Sequence, residues 1–265
     1  MSISGILKTS MLYESIEDKL SNSAWIEHVP FSSVLVELLK PSLIVELGVH
    51  MGTSYFSFCN AVKNSGLNAK CFGVDTWIGD VHAGYYDSKV YKQVIEMNEQ
   101  FKMFSVLKRT KFDDAVDDFK SSSIDLLHID GLHTYEAVRN DFYMWLPKMS
   151  RKGVVVFHDI SVVEDGFGVY KLWFELLERF QGFKFEHGNG LGVLFVGEDV
   201  PDDMVAFFED FISSDSYSAL FALLGRQLSK KLALRDEIVD LKKKYSRYTL
   251  GGLLTRIARR IKSSY

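Results

Sequence analysis

Proline, cysteine and long apolar runs are scarce in this sequence, and each scarcity excludes a class of protein. Four prolines and nineteen glycines in 265 residues argue against a fibrous or disordered chain. Two cysteines cannot build a disulfide framework, and both lie in apolar surroundings, so we expect reduced, packed thiols. No apolar run is long enough to span a membrane, and the first residues lack the apolar core of a signal peptide. We therefore expect a cytoplasmic protein.

Charge is distributed unevenly along the chain, although the net charge is only −4. Residues 226–265 carry twelve Lys and Arg against three Asp and Glu, whereas the rest of the chain carries nineteen against thirty-two. The main body is therefore acidic, and it has no recognisable nucleic-acid-binding module. We expect no nucleic-acid partner, and the basic tail asks for a separate explanation.

Short apolar runs alternate with helix-like stretches through the middle of the chain. The apolar runs are residues 42–48, 70–77, 103–109, 124–131 and 153–160. The helix-like stretches are residues 53–64, 88–101, 112–120, 134–146 and 168–180. The runs are almost continuously apolar, as in strands that are covered on both faces. This alternation predicts an α/β protein with a Rossmann-like, doubly wound, mostly parallel sheet.

The sequence also predicts how the chain is divided. Asn189-Gly190, within residues 183–197, is a hairpin dipeptide, so the sheet should finish with an antiparallel terminal strand pair. We expect four parts: a helical N-terminal extension (1–40), the main domain (41–200), a C-terminal helix (201–225) and a tail (226–265). In the tail, Leu234, Ile238, Leu241 and Tyr245 follow heptad-like steps, which predicts a coiled-coil or docking helix.

Polar side chains stand where the predicted strands end. Glu46 ends the first strand, Asp75 the second and Asp130 the fourth, and His158 and Asp159 end the fifth. In a doubly wound sheet, ligands bind beyond the carboxyl ends of the strands. We therefore expect these scattered residues to meet at one edge of the sheet.

The first strand leads into a glycine-containing corner, with Gly48 and Gly52 before Thr53 and Ser54. It lacks the G-x-G-x-x-G pattern of dinucleotide-binding proteins. The glycines make either an ordinary strand–helix corner or a close approach for a ligand. Asp75 favours the ligand, because a carboxylate after the second strand can accept both hydroxyls of a ribose. A nucleoside ligand without phosphates, such as S-adenosylmethionine (SAM), fits this pattern.

Four stretches resemble class I SAM-dependent methyltransferases of the methyltransferase family 24 type. They are VELGVHMGTS, GVDTW, IDGLHTYEAVRNDFYMWLPKMSRKGVVVFHD and GLGVLFV, between about Leu43 and Val196. That family includes sugar O-methyltransferases of macrolide and surface-polysaccharide pathways. The resemblance implies a SAM-dependent O-methyltransferase that acts on a sugar hydroxyl of a glycan or glycosylated metabolite.

The resemblance also implies roles for individual residues. The methionine end of SAM would be lined by Glu46, Gly48, His50, Gly52, Thr53 and Ser54. Asp75 would bind the ribose, and Asp113 the edge of the adenine. Trp77 would shield the adenine, although a core tryptophan is an equal alternative. Asp130 would lie between the cofactor and the reacting atoms.

Four residues are candidates for the chemistry itself: Asp130, His133, His158 and Asp159. A sugar hydroxyl is a poor acid, so a base or a metal must help to remove its proton. His133 is the first choice for the base, with Asp159 or His158 as alternatives. Asp130, His158 and Asp159 would bind Mg²⁺ or another divalent metal, although metal-dependent relatives use a pair of oxygen ligands where His158-Asp159 stands. Alternatively, Asp130 caps the following helix and His158 is a hydrogen-bonded rim residue.

Two further segments suggest partners. Residues 77–87 contain Gly79 and Gly84 together with Asp80, His82, Tyr85 and Tyr86, and could close over a sugar acceptor. Residues 250–261 are basic and amphipathic, which favours peripheral contact with the inner face of a membrane or with a neighbouring subunit of a homo-oligomer. Two other functions stay open: methylation of a small phenolic or polyketide acceptor, and a noncatalytic oligomerising protein that only binds the cofactor.

Overall fold

The computed structural model describes Gly5, residues 16–21 and residues 23–246. The basic segment predicted at 250–261 lies outside the described residues. Within them, no helix is both long and apolar enough to cross a membrane.

The main sheet has seven strands in the order β5-β2-β1-β6-β7-β9-β8. Its strands are β1 (Leu43–Leu47), β2 (Lys70–Asp75), β5 (Ser105–Arg109), β6 (Ile124–Ile129), β7 (Met149–His158), β8 (Gln181–Phe185) and β9 (Leu191–Phe195). The first five of these are parallel, whereas β9 runs antiparallel to both β7 and β8. The predicted Rossmann-like sheet with an antiparallel end is therefore confirmed.

Helices cover both faces of this sheet. The described α-helices are α1 (Val29–Leu39), α2 (Thr53–Asn64), α3 (Ser88–Asn98), α4 (Phe112–Ala115), α5 (Tyr135–Trp145), α6 (Val169–Leu177), α7 (Asp202–Ser213) and α8 (Ser216–Ser246). Successive strand residues alternate between the two faces, so Ile44 belongs to one apolar core and Val45 to the other. The strands read as continuously apolar because both faces are buried.

Two features differ from the expectation. The segment before α1 forms short 3-10 turns at Glu17–Lys19 and Ala24–His28 rather than a long helix. A small antiparallel pair, β3 (Gly79–Asp80) with β4 (Gly84–Tyr85), stands where the sequence suggested a loop. Strands of two residues leave too little alternation for a sequence pattern to detect.

The N-terminal extension packs into the body of the protein. Val29, Phe31 and Leu35 on α1 are almost fully buried in the same core as Phe221 of α8. The residues around Trp25 also contact α8. The expected boundary at residue 40 therefore separates two stretches of sequence that share one apolar core.

Candidate active site

A cavity of about 590 Å³ opens at the carboxyl edge of the parallel strands. Small-molecule sites occupy roughly 300–1,000 Å³, so this volume suits a cofactor together with part of an acceptor. Most of the predicted site residues line it: Gly48, His50, Thr53, Ser54, Asp75, Asp113, Asp130, His133, His158 and Asp159. The expected convergence of the strand ends is thus present in the structure.

The glycines of the first corner are explained by packing against protein. Both Gly48 and Gly52 have positive φ angles, of 93° and 83°. A Cβ atom at Gly48 would lie 2.0 Å from the carbonyl oxygen of Asp130, and one at Gly52 would lie 2.4 Å from the ring of Phe56. The ordinary-corner alternative therefore accounts for both glycines, although Gly48 also lies in the cavity wall.

Glu46 is completely buried and is not among the described residues that line the cavity, which corrects its predicted place in the lining of the methionine end. Its Oε1 accepts a hydrogen bond from Ser54 Oγ at 2.7 Å, and its Oε2 lies 3.0 Å from Nδ1 of His128. Burial raises the pKa of Glu46, against the opposing effects of His128 and Ser54. Because Ser54 lines the cavity, Glu46 acts on the site by orienting the Ser54 hydroxyl.

Asp75 holds the loop that follows β1. Its Oδ2 accepts the backbone N–H groups of Val49 and His50, both at 2.9 Å, and its Oδ1 accepts that of Trp77 at 2.6 Å. A carboxylate offers about four acceptor positions, so these bonds leave room for a ribose hydroxyl. Asp75 thus has a structural role in this loop, and its binding of a ribose stays a prediction.

Trp77 packs in the core and is absent from the cavity wall, which corrects its predicted role as an adenine shield. Its side chain is 2% exposed, its ring lies 4.7 Å from that of Tyr91, and its Nε1 donates to the His50 carbonyl at 3.0 Å. The core-tryptophan alternative describes its position. The ring that faces the cavity instead is Tyr86, which stacks on His50 at 4.6 Å.

The predicted adenine end lies at the start of α4. Asp113 and its neighbour Lys111 line the cavity there, and Phe112 packs against Gly131, where a Cβ atom would be 2.5 Å from its ring. Below this point lies Asp141, which is buried. Burial, followed by the charge of Asp113, raises the pKa of Asp141 to about 7.

Two carboxylates and two imidazoles meet at the opposite wall. His133 Nε2 lies 2.9 Å from Asp159 Oδ2 and 3.5 Å from Asp130 Oδ1. His158 Nδ1 lies 3.2 Å and 3.5 Å from the same two oxygens. The helix-cap alternative for Asp130 is wrong, because Thr134 caps α5 by accepting the N–H of Ala137 at 3.2 Å.

The electrostatics of this cluster favour positive imidazoles in the absence of another cation. Burial lowers the pKa of both His133 and His158, but Asp130 and Asp159 outweigh it and raise each pKa to about 10. Burial likewise raises the carboxyl pKa values, yet the two imidazoles hold the pKa of Asp130 and of Asp159 well below the usual range. The two carboxylates and the two imidazoles therefore stabilise each other's charged forms.

The two imidazoles differ in what their other nitrogen does. His158 Nε2 donates to the Gly188 carbonyl at 2.9 Å, which fixes the ring and aims Nδ1 at the carboxylates. Among the described residues, neither nitrogen of His133 has a hydrogen-bond partner with correct geometry, although Nε2 is close to Asp159. Nδ1 of His158 is likewise without a well-directed hydrogen bond in that part of the chain. His133 Nε2 and His158 Nδ1 thus lie close to the same two carboxylate oxygens, but without the alignment of a hydrogen bond.

A cation would fit this set of atoms. One ligand atom from each of Asp130, His133 and Asp159 lies within 4.8 Å of the others, and His158 faces the same two carboxylates. Carboxylate oxygens with imidazole nitrogen suit Mn²⁺ or Zn²⁺, and the oxygens also suit Mg²⁺. The near but poorly directed contacts of the imidazole nitrogens are a second observation in favour of such a fit.

Other wall residues were missed by the sequence reasoning. From the N-terminal extension, Ser21, Ser23, Ala24 and Trp25 line the cavity, and Asn189 lines it from the β8–β9 turn. Trp25 Nε1 donates to His128 Nε2 at 3.1 Å. The residues of the N-terminal extension follow no strand end and no motif, and Asn189 was identified only as part of a hairpin turn. Only the three-dimensional packing brings them to the site.

The predicted closing segment, residues 77–87, lies over the cavity mouth. Its Asp80 accepts the backbone N–H groups of His82 and Ala83, at 2.7 and 2.8 Å, which tightens the β3–β4 turn. The His82 ring lies 4.7 Å from that of Phe167, whose ring lies 5.0 Å from that of His133. This segment therefore contacts both the cofactor side, through Tyr86, and the reacting side.

Comparison with known proteins bears on the central part of the chain. Residues 45–160 match the model of a family described as a methyltransferase domain. A protein of Sinorhizobium fredii, the uncharacterized protein y4gI, is 41% identical over 234 residues, which cover 84% of this chain. The chain spans about a quarter, 26%, of the length of that relative.

Solved structures share the fold at low sequence identity. A candidate O-methyltransferase of Klebsiella pneumoniae is 11% identical with a TM-score of 0.51, and covers 73% of this chain and 89% of its own. The O-methyltransferase TomG of Streptomyces achromogenes, solved with SAM and involved in tomaymycin synthesis, is 12% identical with a TM-score of 0.50, covering 74% and 91%. A methyltransferase of Geobacter sulfurreducens is 12% identical with a TM-score of 0.50, and covers 74% of this chain and 90% of its own. Residues 45–160 therefore match a methyltransferase domain, and the described residues share the Rossmann-like fold of these solved methyltransferases.

Proposed function

We propose that this chain is a SAM-dependent O-methyltransferase that acts on a sugar hydroxyl of a glycan or glycosylated metabolite. The observation that carries the proposal is the meeting of Asp130, Asp159, His133 and His158 at one wall of the cavity, with nitrogen–oxygen distances of 2.9–3.5 Å. A methyl acceptor with a poorly acidic hydroxyl needs such a group of bases and charges.

SAM would bind along the β1–α2 corner. The Ser54 hydroxyl is committed as a donor to Glu46, so its lone pairs are left to accept from the methionine ammonium group. Asp75 would accept a ribose hydroxyl in addition to its three backbone hydrogen bonds. Asp113 would meet the adenine edge. The cluster of carboxylates and imidazoles would then lie at the end of the cavity where the methyl acceptor binds.

The charge of the cavity supports a neutral acceptor. Its wall includes Asp75, Asp80, Asp113, Asp130 and Asp159, of which the last two are offset by His133 and His158. Lys111 is the one Lys or Arg among the described lining residues, so the remaining carboxylates leave the wall negative. An acceptor that carries phosphate or carboxylate groups would be repelled by this wall. A sugar ring offers hydroxyl donors, which carboxylates accept well.

Asp130, His158 and Asp159 would hold a divalent cation, which would lower the pKa of the acceptor hydroxyl. His158 fits the role of a ligand because its other ring nitrogen already donates to a carbonyl, as metal-bound histidines usually do. His133 fits the role of base once a cation is bound, because the cation would then neutralise Asp130 and Asp159, which otherwise raise the pKa of His133, and both its nitrogens lack a well-directed partner among the described residues. The hydroxyl proton would pass to His133 Nε2 while the oxygen attacks the methyl carbon and the sulfur leaves with its electron pair.

The first experiment measures SAM binding by calorimetry, followed by methyl transfer to a panel of neutral sugars, anionic sugars and simple phenols, with and without EDTA. We expect SAM binding, transfer to a neutral sugar and loss of transfer with EDTA. Transfer to phenols alone would support the phenolic alternative and contradict the sugar proposal. SAM binding without transfer to any acceptor would support a noncatalytic protein.

A second experiment separates the two histidines with Mn²⁺ as the probe. His158→Ala should weaken Mn²⁺ binding about 10–100-fold, because a ligand is lost. His133→Ala should leave Mn²⁺ affinity within a few-fold of wild type but lower kcat by roughly 10²–10⁴-fold, the usual contribution of a general base. The reverse pattern would make His133 the ligand and would overturn this assignment.

We also propose that the distal half of α8 mediates homo-oligomer formation. Leu234, Ile238, Leu241 and Tyr245 are 42–64% exposed and repeat at heptad-like spacing. Leu228 and Leu232, which precede this segment on the same helix, are 1% exposed against the body. Light scattering of the full chain should give an oligomer that dissociates in a variant carrying Ile238→Lys and Leu241→Lys. A monomeric wild-type chain would contradict the proposal.

A further inference from the structure

The turn between β8 and β9 reaches the reactive cluster from the antiparallel end of the sheet. In the β7–β9 pairing, Leu191 stands opposite His158. The residues just before β9 therefore lie beside the end of β7, where His158 and Asp159 are found. The sequence showed this segment only as a hairpin turn.

Three hydrogen bonds join the turn to the end of β7. The Gly188 carbonyl accepts from His158 Nε2 at 2.9 Å, and Asn189 Nδ2 donates to Asp159 Oδ1 at 2.9 Å. The backbone carbonyl of Asn189 accepts the N–H of Ser161, also at 2.9 Å. Each residue of the His158-Asp159 pair is thus held by its own residue of the turn.

The backbone on both sides of this junction is unusual. Asp159 has φ of 61° and Asn189 has φ of 65°, both in the left-handed region. Such a conformation costs energy for a residue other than glycine, and it persists where the surroundings fix it, often at functional sites. Asn tolerates it better than most residues. The amide of Asn189 is also in the cavity wall.

We propose that Asn189 is a positioning residue that fixes the orientation of the Asp159 carboxylate, an inference that rests on the proposed function. Because Asn189 binds Oδ1, the other oxygen, Oδ2, is the one that faces His133 and His158, at 2.9 and 3.2 Å. Rotation of the carboxylate would break the bond to Asn189. The turn therefore keeps Oδ2 directed at the atoms that would bind a cation and take up a proton.

The competing explanation is that Asn189 only supplies the left-handed residue of a hairpin turn. Glycine separates the two roles, because Asn189→Gly keeps the backbone conformation and removes only the amide. Asn189→Ala removes the amide and also strains the backbone. Ser161→Ala is a matched control at the same junction, since it removes the hydrogen bond from Ser161 Oγ to Glu186 and leaves the Asn189 amide in place.

The experiment compares the wild type with Asn189→Gly and Ser161→Ala in crystals, in Mn²⁺ titration and in turnover. In Asn189→Gly we expect a rotated Asp159 carboxylate, Mn²⁺ affinity and kcat each lowered about 10–100-fold, and unchanged SAM affinity and Tm. Ser161→Ala should match the wild type in all of these. A variant Asn189→Gly with the wild-type Asp159 orientation would overturn the proposal, whatever the other readings.

Failure of the proposed function gives a different result. A wild-type chain that transfers no methyl group would contradict that function, whereas the orientation of Asp159 in the Asn189→Gly crystals would still decide the role of Asn189. If the carboxylate rotates but Mn²⁺ affinity and kcat stay at wild-type values, Asn189 has no positioning effect on the chemistry and the proposal fails.

Discussion

Two carboxylate–imidazole pairs with almost the same separation lie at different depths of this molecule. Glu46 and His128 are 3.0 Å apart and fully buried between β1 and β6, whereas Asp159 and His133 are 2.9 Å apart and line the cavity. The side chain of His133 is 15% exposed, and that of His128 is 0% exposed. Distance alone therefore does not distinguish a structural pair from a reactive one.

The two pairs differ in what the second ring nitrogen of each imidazole does. The indole N–H of Trp25 can only donate, so His128 Nε2 must accept it, and His128 Nδ1 then carries the proton that is donated to Glu46. His128 has no nitrogen left for chemistry. In His133, by contrast, neither nitrogen has a well-directed hydrogen bond within the described residues. A satisfied imidazole stabilises the fold, and an unsatisfied one is available for a proton or a ligand.

Removal of the cavity-lining carboxylate should give the largest effect. Asp159→Ala should lower kcat by roughly 10²–10⁴-fold, because it removes an acidic group from the site of proton transfer. SAM affinity, measured by calorimetry, should stay within a few-fold of wild type. Asp118→Ala is the matched control, since Asp118 forms an exposed ion pair with Lys108. Full activity of Asp159→Ala would remove this residue from the mechanism.

Removal of the buried carboxylate should act on stability instead. Glu46→Ala leaves His128 and Ser54 without their acceptor in a dry environment. Breaking a buried pair in this way costs about 3–5 kcal/mol, which urea unfolding would measure. A loss below about 1 kcal/mol would show that the fold does not depend on the Glu46–His128 pair. The contrast with the Asp159–His133 pair would then fail.

A third buried carboxylate, Asp141, tests how a buried acid that is not paired with an imidazole affects stability. The pKa of Asp141 is raised to about 7 by burial and by Asp113, so between about pH 4 and pH 7 the folded state binds more protons than the unfolded state. Its contribution to stability is complete below this range and is lost as the pH rises through it. Asp141→Asn should therefore gain stability relative to wild type by up to about 1.4 kcal/mol per pH unit across this window. An equal difference in unfolding free energy between Asp141→Asn and the wild type at pH 5 and at pH 7 would contradict this.

The smallest effect should come from the indole of Trp25. Trp25→Phe keeps most of the ring packing but leaves His128 Nε2 without its donor. We expect a loss of about 1–3 kcal/mol in unfolding free energy, toward the lower end if the imidazole re-orients. Equal stability of the variant and the wild type would mean that this hydrogen bond does not fix the His128 tautomer.

The sheet was predictable because its signal is repeated. Each of the five parallel strands is an apolar run followed by a helix, and Asn189-Gly190 marked the terminal hairpin. The place of Asp130 and Asp159 at one edge follows from the same rule for parallel sheets. Physical regularity, repeated along the chain, allowed this part of the site to be predicted.

Depth and side-chain partners were not predictable in this way. Glu46 and Trp77 occupy the expected positions in the chain, but the side chains of both are buried. Neighbouring residues of a strand point to opposite faces, so a position in the chain does not decide which side chain reaches the cavity. Trp25 reaches the cavity from a segment that carries no motif, and Asn189 reaches it from a dipeptide that marked a turn but not a site. These contacts depend on how distant segments pack, and no local pattern encodes that.

The carbonyl of Gly188 has a consequence for how this chain can diverge. It accepts Nε2 of His158 at 2.9 Å and Nε2 of His28 at 3.0 Å, so both lone pairs of one oxygen are occupied. Three stretches, separated along the chain by 30 and 160 positions from Gly188, are coupled through a single backbone atom that substitution cannot remove. Homologues that lose His28 should therefore also alter the loop at 188, and a sequence alignment would reveal this as correlated change.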